Sequence, residues 1–144
     1  MKSYNVILKQ LTALTFLFLL ISGSAFSEEM NNAISNGKQE FIDSCSLCHG
    51  EDAKGHGVFS EMLVIPTADL TQLKSNNDGH FPYKTVYLTI DGRDRVKQHG
   101  ARYMPIWGNR YNATSWLDVD KKYAETLVRG KIFELILYLE SIQE

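Results

Sequence analysis

The stretch FIDSCSLCHGED at 41–52 holds both cysteines of the chain, Cys45 and Cys48, with His49 directly behind the second, and it limits the possible folds more than any other feature. A disulfide between the two would close only a tiny loop and so constrain little of the unfolded chain. A thioredoxin-type redox pair has the same spacing, but it needs a strand immediately before it and a βαβ pattern around it. The residues before Cys45 read as helix. A structural zinc site needs four ligands, usually with a second close pair, and His56, His80 and His99 supply none. The pattern that remains is Cys-x-x-Cys-His, the signature of c-type haem attachment. Two thiols one helical turn apart can reach two vinyl groups on one edge of a porphyrin, and His49 is then carried under the ring to bind iron.

The amino terminus supports that chemistry. Lys2 and Lys9 flank a polar start, Leu11 to Ile21 is mostly apolar, and Ser22, Gly23, Ser24 and Ala25 are small. This is the layout of a secretory signal peptide, with cleavage expected after Ser27 and a cut after Ala25 as the nearest rival. The apolar core is shorter than the roughly 20 residues a spanning helix needs. No cysteine follows it to take a lipid, and no later segment looks transmembrane. The expected division is therefore a cleaved leader at 1–27 and one domain at 28–144, periplasmic and without stable membrane insertion. The full chain carries 15 basic and 17 acidic residues. Loss of Lys2 and Lys9 with the leader makes the remainder more acidic still, which excludes nucleic acid as a partner. A domain this small has a modest core, and an internal prosthetic group would enlarge it.

Along the domain, Asn32 is a plausible N-cap for a helix ending near Ser44, with Ile34, Phe41 and Ile42 as apolar contacts. Gly37 and Phe41 share a face of it, and the glycine would let another helix cross closely. Residues 50–80 read as loop, with helical turns expected at 61–65 and 67–73. Pro82 suits the first turn of a helix through Val86 and Ile90 that stops at Asp91-Gly92. A second loop follows. Ser115 and Asp118 stand in capping-box spacing, and 120–142 is the strongest helix, with Ile132, Leu135, Ile136, Leu139 and Ile142 as its buried stripe. No strand is convincing, because Pro82 and the isolation of FPYKTVYLTI argue against a sheet. The class is all-α.

Several spaced features together resemble the class I monohaem cytochromes c of the small, exported bacterial kind. They are Gly37 and Phe41 ahead of Cys45 at four-residue intervals, CSLCHG at 45–50, YMPIWG at 103–108 and YL at 138–139. The resemblance implies three to five helices with long loops wrapped around one covalently bound haem c. It also implies that the first and last helices cross near Gly37, making Tyr138 a neighbour. Met104 becomes the sixth iron ligand opposite His49, and Pro105 favours an extended backbone at Met104. Met30 and Met62 are less well placed, and His99, five residues before Met104, is the competitor. Family members commonly continue the glycine loop into Gly-Pro. Here Val58 follows Gly57, so the carbonyl that orients His49 is open, with residues near Pro66 as candidates. Trp107 is expected to pack on the haem edge, donate to a propionate or sit in the core. Arg93, Arg95, Lys97 and Arg102 form a basic stretch that could counter propionate charge, meet an acidic partner or form a solvated loop face.

An iron closed on both faces by His49 and Met104 has no vacant position for substrate, which points to one-electron transfer and not to an enzyme. The expectation is a monomeric carrier docking transiently with redox partner proteins over a small area. A haem subunit of a larger periplasmic oxidoreductase and a ligand-binding sensor or peroxidase-like protein are the alternatives.

Overall fold

The structure, a computed structural model, describes residues 26–93, 104–113 and 121–144. The chain divides into two units, Met1–Asn32 and Ala33–Glu144. Of the first, only 26–32 are described, and they are helical. Apart from Phe26 and Ser27, the expected leader lies outside the described residues, as do Ser115 and Asp118. Among the described residues, no helix is long and apolar enough to cross a membrane.

The architecture is all-α, as the sequence predicts, with no strand among the described residues. Helix α1 covers 26–44 and is followed, after a turn at Cys45, by the short α2 at Ser46–His49. Asn32, expected to cap α1, lies inside it and is exposed. The loop from 50 to 82 contains three single 3-10 turns, at Ser60–Met62, Leu70–Gln72 and Ser75–Asn77. The first two match expectation and the third does not. Asp69 caps the second turn by accepting from the Thr71 backbone N–H at 2.8 Å.

Helix α3, Tyr83–Asp91, begins behind Pro82 and ends at Gly92, whose φ of 66° lets its N–H return to the Leu88 carbonyl at 2.9 Å. That left-handed cap is what glycine permits at little cost. Helix α4, Trp107–Ala113, falls where the sequence reads as loop. Helix α5, Lys121–Ser141, is the long closing helix.

The core lies where α5 meets the other helices. Ile132, Leu135, Ile136 and Leu139 of the expected stripe are buried, and Ile142 packs at the margin. Fully burying one such side chain stabilises by about 1.5–3 kcal/mol. Phe41, completely buried, meets the Tyr138 ring at a centroid distance of 5.4 Å. The close approach of α1 and α5 falls at Gly37, but against the backbone of Glu134 and Leu135. Tyr138 therefore sits one turn beyond the contact point, against Phe41. From α3 come Val86 and Ile90, and from α4 Trp107 and Tyr111, whose rings are tilted against each other with centroids 5.7 Å apart.

The end of α5 also fastens the long loop. The Glu144 backbone N–H donates to the Thr71 carbonyl at 3.0 Å, Gln143 Nε2 donates to the Leu70 carbonyl at 2.8 Å, and Tyr83 Oη donates to Glu140. That last bond raises the Tyr83 pKa by favouring the protonated phenol. Because both partners are solvent-accessible, Tyr83→Phe is expected to lower stability by no more than about 1 kcal/mol. A denaturant melt with unchanged slope would show it, and a larger loss would mean that the bond fastens more than this contact.

Candidate functional site

The site is built from the end of α1 outward. The Cys45 N–H donates to the Phe41 carbonyl at 2.8 Å, and the His49 N–H donates to the Cys45 carbonyl at 2.9 Å, so both cysteines and the histidine ride on helical backbone. The thiols of Cys45 and Cys48 are free. Cys45 is buried, and its pKa is pushed up to about 12, first by burial and then by the negative charges of Glu40 and Cys48. At neutral pH it is a thiol, the opposite of what a nucleophilic redox pair or a thiolate metal site requires. Among the described residues, no cluster of three His, Cys, Asp or Glu side chains could hold a metal ion.

The last carbonyls of a helix have no partners within it. Here the loop supplies them. Phe59 N–H donates to Leu47 at 2.9 Å, Gly57 N–H to Cys48 at 3.1 Å and Gly55 N–H to His49 at 2.7 Å. Glycines make this turn possible, Gly55 among them with a φ of 87°. Gly50, with φ of 79°, leaves α2 in the left-handed region, and a Cβ on Gly57 would lie 2.6 Å from the Cys48 carbonyl carbon. Ala53, fully buried, is held at a positive φ of 61° with its N–H donating to the Gly50 carbonyl at 3.1 Å and its carbonyl accepting from Leu70 N–H at 2.8 Å.

Held against this loop is the segment after Pro66. Its Ala68 carbonyl lies 3.0 Å from His49 Nδ1. A carbonyl can only accept, so the proton is on Nδ1, and Nε2 carries the free lone pair. Burial lowers the imidazole pKa, opposed by the hydrogen bond to Ala68, and this keeps the ring neutral. The sequence placed this carbonyl near Pro66 and could not say which one. Gly55, packed against the Ala68 backbone, was the available signal.

Met104 is half-buried at the bend before α4 and packs against the core cluster that includes Cys45. It thus comes to the same core as the attachment motif from a distant part of the chain. The competing His99 lies outside the described residues, as do Arg95, Lys97 and Arg102. Trp107 is buried, with the Arg110 guanidinium 5.1 Å from its ring centre. Arg93 belongs neither to a solvated face nor to a free basic patch. It forms ion pairs with Asp91 at 2.7 Å and Glu125 at 2.6 Å, a network the sequence reading missed because Glu125 is 32 residues away.

The chemistry of the donors fits a c-type haem. Two unoxidised thiols stand one turn apart beside a neutral imidazole with Nε2 available. Next to them Leu47, Val58 and Phe59 expose large apolar surfaces that a macrocycle could cover.

Comparison with known proteins points in the same direction. A Cbb3-type cytochrome c oxidase subunit FixPc of Rhizobium leguminosarum bv. viciae is 34% identical over 79 residues, covering 55% of this chain and 23% of that protein. The FixP subunit of Rhizobium etli is 37% identical over 79 residues, with the same coverage. That of Rhizobium meliloti is 36% identical over 77 residues, 45% of this chain and 25% of that protein. The chain spans about a quarter of the length of these curated relatives. No family model matches, and no solved structure gives a significant match.

Proposed function

We propose that residues 28–144 form a c-type cytochrome module that passes single electrons as a subunit of a larger periplasmic oxidoreductase. The observation that carries this reading is the Ala68 carbonyl on His49 Nδ1, beside two free thiols in Cys-x-x-Cys-His spacing. It is a ligand histidine already oriented by its outer partner.

In this reading Cys45 and Cys48 would hold the porphyrin through thioethers, while His49 Nε2 and the Met104 thioether would hold the iron. When bound, the haem supplies a one-electron couple whose potential rises with thioether ligation. The protein's own work is positional. Helix α2 carries Cys48 and His49 with Cys45 at its start, the loop at 55–59 closes over the carbonyls of Leu47, Cys48 and His49, and the Ala68 carbonyl keeps the Nδ1 proton in place. Burial of Phe41, Trp107 and Tyr138 provides the dry surroundings that resist solvent access.

The similarity to cbb3-type oxidase subunits supports a stable complex over the freely diffusing monomer expected from sequence alone. The test is purification of the tagged chain from native membranes in mild detergent. Co-elution with oxidase subunits at constant stoichiometry is expected, and recovery only as a lone monomer in the soluble fraction would return the carrier reading to first place. Rapid carbon monoxide binding to the reduced protein at neutral pH would contradict both and favour a sensor or peroxidase-like role.

A further inference from the structure

The chain leaves α3 at Gly92 and returns toward α4 past Met104, and the two limbs meet. A Cβ on Gly92 would lie 3.2 Å from the Ile106 Cα. One on Gly108 would collide with the Asp91 carboxylate and lie 2.6 Å from Arg93 Nε. Residues 91–93 and 106–108 therefore form a neck, with Met104 two residues inside it.

One guanidinium lies across that neck, against Gly108. Arg93 Nε and Nη2 donate to the same Asp91 oxygen at 2.8 and 2.7 Å, and Nη1 donates to Glu125 at 2.6 Å. A single side chain thus ties the end of α3 to the first turns of α5, and it packs over Gly108 at the start of α4. Asp91 is 5% exposed, so its end of the network is sheltered, while the Arg93 and Glu125 side chains are partly exposed. Removal of Arg93 would leave the buried Asp91 carboxylate without its partner.

We propose that Arg93 is a positioning residue for Met104, which sets the fraction of time the thioether is presented to iron. The inference rests on the reading of Met104 as sixth ligand. A loosened neck lowers the population of the closed, ligated state, and an external ligand then competes for the iron more effectively.

The experiment is an optical titration of the ferric, haem-loaded protein with imidazole. Met104→Ala sets the affinity of an open position. Arg93→Ala is expected to bind imidazole about tenfold more tightly than wild type, with Arg93→Lys in between, because a lysine keeps the charge without the fork. Glu125→Gln is expected to shift in the same direction by less. Leu139→Ala thins the core 14 residues further along α5, about 21 Å of helix, and is expected to lower stability with wild-type imidazole affinity. Tight binding by Met104→Ala with wild-type affinity in Arg93→Ala would overturn the proposal and leave the ligation reading intact. Wild-type affinity in Met104→Ala would overturn the ligation reading and the proposal with it. An equal shift in Leu139→Ala would assign the effect to general destabilisation and also overturn the proposal. If Arg93→Ala does not fold, Glu125→Gln decides by the same criterion.

Discussion

Changing Cys45 and Cys48 together to serine is expected to abolish covalent haem, leaving no haem-stained band after denaturing electrophoresis. Serine oxygens do not replace the thioether sulfurs, while the helical bonds that carry them, from Cys45 N–H to Phe41 and from His49 N–H to Cys45, are backbone bonds and survive the change. Each single replacement is expected to retain one thioether at reduced yield. His49→Ala acts differently: the thiols remain, but the imidazole that the Ala68 carbonyl orients is gone. Haem still covalently retained by the double variant would mean that attachment, if any, runs through other groups.

The second large effect is at a glycine. A Cβ on Gly37 would collide with the Glu134 carbonyl and approach the Leu135 nitrogen at 3.0 Å. Both obstacles are backbone, so neither can rotate away. Gly37→Ala must push α1 from α5 and loosen Phe41 against Tyr138 and the core around Ile132 and Leu135. Overpacking of this kind costs about 1–3 kcal/mol, and the loosened contacts add to it. The roughly 1 kcal/mol that alanine gains over glycine within a helix offsets only part. We expect a net loss of roughly 2 kcal/mol or more in denaturant unfolding. Gly130, within α5, has nothing within 4 Å of the same position. Gly130→Ala should therefore stabilise by about 0.5–1 kcal/mol, which is the helix propensity alone. Equal effects at the two sites would remove the close crossing from the account.

What the sequence revealed was local or periodic. Cys45, Cys48 and His49 are read in one turn of chain, α3 is bracketed by Pro82 and Gly92, and α5 announces its buried face through Ile132, Leu135, Ile136 and Leu139. Helix α4 was invisible because Gly108, Asn109 and Asn112 are poor helix formers. Trp107 and Tyr111 bury against the rest of the core, so tertiary packing decides there. Asn32 looks like a cap, yet it lies within helical backbone, because a residue type that caps helices also occurs inside them. The carbonyl of Ala68 carries no residue-specific signal, since every residue has one. Arg93 looked like part of a basic surface until folding brought Glu125 to it.

The most direct test of the central claim is the intact mass, under denaturing conditions, of the protein recovered from cells competent in cytochrome maturation. The account predicts the mass of residues 28–144 plus one haem. A folded, colourless protein with the mass of the polypeptide alone would contradict it.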